Sequence, residues 1–283
     1  MKAHCLIFLA LFPALSALSH TGNDVDHTIA KTWTEGGSLD MKTFLSGESM
    51  EVLQFIKIVA DGKDLENGVL PLGDEPDDCE PNVFLVEIQR RDDSIPLDKT
   101  WVVVNSPETE RLFSEWCTNN ASTAWAASLP QPYGKITIGV DAAGVKTPVD
   151  PEPGSPGEWS APYPLDTYLH HDAAYEMRTE VGVAGEHGHQ ATYDKNGNLI
   201  RVGIAAGTAD FKRPYTTVFW TKVPNFTRHL EADVKPYIRA LQLDGNPVKA
   251  VDVYRNLDRP CLFMGEHTLA YLLRRPTTPS GTK

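Results

Sequence analysis

The chain has 283 residues, of which 41% are hydrophobic and 23% charged, and it carries a formal net charge of −12. An acidic chain without a basic cluster does not suit nucleic acid or an anionic membrane as a partner. Four cysteines in this length are too few for a disulfide scaffold, so a hydrophobic core has to carry the fold.

The opening "MKAHCLIFLALFPALSALSHTG" reads as a cleaved secretory signal. Lys2 supplies a positive start, the run Leu6 to Leu15 is too short to span a bilayer, and small residues follow at Ala14, Ser16, Ala17 and Ser19. Cleavage after Ser19 leaves a mature chain of 25 basic and 38 acidic residues, so its charge falls to −13. No later stretch has the length and apolarity of a membrane span. The expectation is a secreted, extracellular protein that is not an integral membrane protein. In an oxidising compartment the three remaining cysteines, Cys79, Cys117 and Cys261, predict one bridge and one leftover thiol. Cys79–Cys117 closes the shortest loop and would contribute about 4 kcal/mol in the chain-entropy model. Sequons at Asn120 ("NAS") and Asn225 ("NFT") mark expected glycosylation sites on the surface.

Residues 20–46 are polar and weakly patterned, apart from a short helical stretch near Leu39 to Leu45. From Met50 the texture alternates: "MEVLQFIKIVA", "NVFLVEIQR", "TWVVVNS" and, further on, "GKITIGV" predict strands. Between the last two, "SPETERLFSEWC" predicts a helix with Ser106 as cap, Pro107 at its first position and acids in the first turn. Leu112, Phe113 and Trp116 fall on one face of it. Prolines and glycines from Lys146 to Pro164 mark a linker or a long surface loop. After it, Leu165 to Val181 reads as a helix capped by Asp166, with Leu169, Ala173 and Met177 at helical spacing. "HQATYDKNGNLIRVGI" predicts a hairpin around Asp194–Gly197. "RHLEADVKPYIRALQL" predicts a second helix in which Pro236 demands a kink or a late start. The tail after Arg275 reads as disordered. The organisation is therefore α+β: a signal at 1–19, a β-rich part at 20–145, a linker or loop at 146–164, a module at 165–275 and a tail at 276–283.

Four of the nine histidines fall between Leu169 and Arg201. On the expected helix, His171 and Tyr175 share a face at i, i+4, with Asp172 beside the histidine. A histidine held near a carboxylate can act as a general base on water. The spacing is similar to the His-Asp-x-x-Tyr helix of small secreted phospholipases. That resemblance implies a water-activating His171, a calcium-binding Asp172 and a supporting Tyr175, but the flanking cysteines and the glycine-rich calcium loop of those enzymes are missing. His187 and His189 lie on one side of an extended chain and, with His171, could complete a three-ligand zinc or copper site. No Gly-x-Ser-x-Gly elbow and no phosphate-binding loop occurs.

A longer framework runs through Gly188, Gln190, Tyr193, Gly197, the "GTAD" of Gly207 to Asp210, His229, Asp233-Val234 and Arg259-Pro260. In this order it resembles the AMOP domain, an adhesion-associated extracellular module of mucin-like and other cell-surface proteins, over about residues 186–261. The family has adjacent cysteines just before the tyrosine, where this chain has Ala191-Thr192. Further family cysteines are missing near Ala240, and only Cys261 lies near the end. The resemblance implies a similar hairpin and helix framework stapled by packing rather than sulfur. Two functional readings follow. The first is a secreted interaction or adhesion protein with an extracellular protein or glycan partner. The second is a secreted lipid or ester hydrolase using His171 and Asp172, with zinc, copper or calcium as its metal.

Overall fold

The computed structural model describes residues 26–32, 38–40, 56–72, 82–91, 96–140, 142–149, 151, 159–160, 170, 173–179, 186–218, 221–224, 226–248, 262 and 264–277. The architecture is α+β, with strands concentrated in the first and middle parts and helices towards the end.

The N-terminal part is built on strands β1 (Asp26–Thr32), β3 (Ile56–Ala60), β4 (Lys63–Asp64), β6 (Asn82–Arg90) and β7 (Pro96–Asn105), with a small ribbon of β2 (Ser38–Asp40) and β5 (Val69–Pro71). The sheet order is β1-β7-β6-β3-β4; β1 pairs with β7 in parallel and the other pairings are antiparallel. Alternation explains its packing. Ile58, Val86, Ile88, Val102 and Val104 project to one face and form a core with Leu72, while Leu39 and Leu70 of the ribbon pack against it. The helical stretch expected at Leu39–Leu45 begins instead as β2, paired with β5.

Helix α1 (Pro107–Asn119) starts where the sequence places it: Ser106 Oγ accepts the backbone N–H of Thr109 at 3.0 Å, and Pro107 occupies the first turn. Its Phe113 and Trp116 are buried among side chains of the C-terminal helices. The next strands are β8 (Thr137–Val140), β9 (Lys146–Val149), β10 (Trp159–Ser160), β11 (Tyr175–Thr179), β12 (Gly188–Tyr193) and β13 (Ala209–Asp210). The proline-rich stretch from 146 thus supplies β9, paired with β8, and β10, paired with β11. It does not separate two cores. Ile136 lies before it and Trp159 within it; both are buried in one cluster with Met177, Ala191 and Tyr193, which follow it.

The helix expected over Leu165–Val181 is corrected: its Tyr175–Thr179 portion is strand β11, antiparallel to β12. Period-two alternation decides the matter. Tyr175 and Met177 face the apolar cluster opposite Tyr193 and Ala191, while Glu176 and Arg178 stand opposite Thr192 and Gln190 on the other side. The expected hairpin turn is present. Asp194 Oδ1 accepts the backbone N–H groups of Asn196 and Asn198, and Gly197 has φ +77°.

After the ribbon β14 (Tyr215–Val218) and β15 (Thr221–Pro224), the chain enters α2 (Phe226–His229), one π-helical turn (Leu230–Val234) and α3 (Lys235–Leu243). The π turn ends at Val234, two residues before Pro236. A proline there lacks its N–H and clashes with the preceding turn, and local widening accommodates both. Helix α4 (Glu266–Arg274) packs on α3 and α1 through Tyr271. Its N-terminus is capped from a distance by Asp244, which accepts the N–H groups of Gly265, His267 and Thr268. The tail expected to be disordered is docked at its start: the Pro276 carbonyl accepts the Ala209 N–H, and Thr277 Oγ1 donates to the Arg201 carbonyl. Residues 278–283 lie outside the described set. No helix among the described residues is long and apolar enough to cross a membrane.

Candidate functional site

The sheet β10-β11-β12-β13 has two unlike faces. One is apolar. The other carries Glu176, Arg178, Gln190, Thr192 and Asp210, and His229 at the end of α2 and Asp233 of the π turn lie against it. The result is a buried ionic layer. Arg178 Nε donates to Glu176 Oε1 at 2.5 Å, and its Nη1 donates to Asp210 Oδ2 at 2.6 Å. Ligand-type atoms of Asp210, His229 and Asp233 fall within 4.8 Å of one another. His229 Nδ1 donates to the Lys212 carbonyl at 2.7 Å and lies 3.5 Å from Asp233 Oδ2. Asp233 also accepts the backbone N–H groups of Phe211 and Lys212 and, at 2.6 Å, Arg275 Nε.

Arg275 is 0% exposed. Besides Asp233, its guanidinium donates to Asn120 Oδ1 and to the carbonyls of Ala232 and Arg274, and it lies 4.8 Å from the ring centroid of Trp116. Burial raises the Asp210 carboxyl, partly offset by Arg178 and His229. Burial alone would do the same to Asp233, but His229 and Arg275 outweigh it and hold that carboxyl below the ordinary range. Burial pulls the His229 imidazole down; Asp210 and Asp233 together overcome it, and the net direction is up.

Three donors this close would suit a cation by spacing alone. Arg178 and Arg275 already donate to Asp210 and Asp233, and a divalent ion would have to displace both guanidiniums. The chemistry of the donor set is that of an ion-pair network.

The histidines expected to act together are separated. His189 is fully buried, with Nδ1 3.2 Å from the Pro130 carbonyl and Nε2 3.0 Å from the Thr277 carbonyl. Both nitrogens face backbone carbonyls; burial holds the imidazole below its usual value, and the neutral ring donates to one of the two. His187 Nδ1 faces the Phe211 carbonyl at 2.7 Å, and its ring packs on Trp125 and Phe211, each 4.8 Å away. His187 and His189 thus do not converge on one point, because one precedes β12 and the other sits on its apolar face beside Trp159. Tyr175 is on a strand and shares no helix face with residue 171. His171 and Asp172 lie outside the described residues. The neighbouring His170 is buried, with Nε2 2.9 Å from Gln190 Oε1 and its pKa lowered by desolvation.

Cys117 is a free thiol inside α1 against the helical core; Cys79, its expected partner, lies outside the described residues. Asn120, expected to carry a glycan, is half-buried at the end of α1. Its Nδ2 donates to the Trp116 carbonyl at 2.9 Å, and its Oδ1 is held by Arg275. Asn225 lies outside the described residues.

Glu176, Arg178 and Arg275 were not singled out by sequence pattern. The available signal was the alternation in "YEMRT", whose charged positions face a buried layer rather than solvent. The i, i+4 spacing of His229 and Asp233 was a second. Comparison with protein-family models, curated proteins and solved structures finds no match.

Proposed function

We propose that this chain is a secreted extracellular interaction protein whose C-terminal part is an AMOP-like framework closed by buried ion pairs instead of cystines. The single observation that carries this reading is how the framework positions are used. Asp210, His229 and Asp233 meet in one sealed layer, while Gly207 lies against the Gln190 backbone so closely that a Cβ would come within 2.4 Å of its carbonyl oxygen. These residues recur in the order of the resemblance, and here their work is cohesion. The two-residue step Ala191-Thr192 stands where the family's adjacent cysteines would be. Ala191 fills the apolar cluster, and Thr192 Oγ1 ties β12 to the loop before β13 through Ala205 and Gly207. A partner-binding role is further favoured by side chains left outside the core: Leu269 and Leu273, one turn apart on α4, are 47% and 67% exposed.

The test is a paired measurement on the purified mature protein. Elemental analysis is expected to find no stoichiometric zinc, copper or calcium. Lipid and ester hydrolysis is expected to stay at background in wild type and in His171→Ala alike, with binding to extracellular protein or glycan arrays unaffected by that substitution. Stoichiometric metal would overturn this reading, and hydrolysis lost in His171→Ala would establish the hydrolase reading instead.

A further inference from the structure

The ionic layer has a charge imbalance of one. Its carboxylates are Glu176, Asp210 and Asp233; its guanidiniums are Arg178 and Arg275. All five side chains are at most 16% exposed. One uncompensated negative charge in such a place is costly. Among the described residues three more titratable groups approach the layer: Tyr271, whose hydroxyl donates to the Asp233 carbonyl; His170, whose imidazole burial holds low despite the nearby Glu176; and His229, 11% exposed and attached from the helical side, the histidine of the two whose value is raised.

We propose that His229 is a proton-operated clasp: its imidazolium supplies the missing positive charge and fastens the α2–π segment to strand β13 and the loop after it. The groups that face it are named from each packed element. Strand β13 brings Asp210, and β11 brings Arg178 and Glu176 behind it. The loop presents the Lys212 carbonyl, while the Lys212 ammonium turns away to Glu186. The π turn brings Asp233, backed by Arg275. Arg228, its neighbour in sequence, is 66% exposed and also pairs with Glu186.

With the proton on, three negative charges meet three positive ones. Without it, Nδ1–H can still serve the Lys212 carbonyl, but the ring no longer offsets Asp210. The layer then relaxes by admitting water at the contact between the π turn and the loop, where Asp233 holds the amides of Phe211 and Lys212. The clasp is closed below the ordinary histidine value near 6.5 and opens as pH rises through a higher, folded-state value. The shift that burial and the two aspartates produce together has this same sign.

The experiment is NMR titration of the His229 ring in the full chain, with amide exchange at Phe211 and Lys212 followed over the same pH range. His267→Gln serves as the background, because His267 pairs with Asp244 elsewhere and titrates in the same direction. The expected results are a His229 midpoint above 6.5 and protection of both amides, taken as the intrinsic base-catalysed rate over the observed rate at the same pH, that falls by tenfold or more as pH passes that midpoint. Asp210→Asn removes the surplus carboxylate. It should lower the midpoint and abolish the pH dependence of protection without unfolding the chain. A midpoint below 6.5, an unchanged midpoint in Asp210→Asn, or protection indifferent to pH would overturn the clasp. Zinc added to wild type provides the last arm: stoichiometric binding with loss of the His229 titration would make the cluster a cation site and refute the proposal.

Discussion

Replacing Arg275 by methionine isolates the energetics of the ionic layer. Methionine preserves much of the buried volume and the contact with Trp116, but removes every donor of the guanidinium. Asp233 then keeps only the N–H groups of Phe211 and Lys212 and the nearby His229 ring. Breaking a buried pair from one side costs about 3–5 kcal/mol, because the charge left behind is uncompensated. In a domain of this size each kcal/mol moves Tm by ~2–4 °C, so the expected fall is ~6–20 °C. Thermal unfolding at neutral pH, followed by circular dichroism, measures it. The companion variant Asp233→Asn and the double variant complete a cycle. Because the two side chains are in direct contact at 2.6 Å, the double variant should be less damaged than the sum of the singles by more than ~1 kcal/mol. A fall of under ~2 °C in Arg275→Met, or strict additivity in the cycle, would refute the claim that this pair holds the layer together.

Gly207→Ala should destabilise the chain strongly, since its Cβ would press on backbone atoms of Gln190 that cannot rotate away; the expected cost is at least ~2 kcal/mol in chemical denaturation. Asp244→Ala frees three N–H groups at the start of α4 and the His267 contact; loss of such a cap costs ~1–2 kcal/mol, and exchange should rise first in α4. Stability should also pass through a maximum with pH. His170 and His189 have lowered values, so the unfolded chain binds their protons more readily and stability falls as pH drops below about 6.5. His229 and His267 have raised values, so their contribution is complete below about 6.5 and is lost as pH climbs through their folded values. A Tm that rises or falls monotonically between pH 5 and pH 9 would contradict this pairing of signs.

Local chemistry was legible where local chemistry decides. Ser106 and Pro107 set the start of α1, Gly197 set a turn, and Pro236 announced an irregular helix whose solution is the π turn before it. Strand β11 was not legible, because Ala173 and Met177 satisfy a helical period while Glu176 and Arg178 look like solvent-facing residues. Only the partner strand reveals that both sides of β11 are buried. The candidate site failed to read for the same reason. His187 and His189 lie two residues apart, a spacing that suggests a common target, yet each faces backbone carbonyl from distant chain. Arg275 looked like the edge of a tail, because its partners Asn120 and Asp233 lie 155 and 42 residues away. Such contacts leave no periodicity to detect.

That separation bears on biogenesis. Until residue 275 has left the ribosome, Asp233 has no guanidinium, Trp116 and Trp125 have no cation between them, and α1 has nothing to secure its final carbonyls to α4. The β-rich sheet can assemble as its strands emerge, but the helical half has to wait for Arg274 and Arg275 before its contacts are complete.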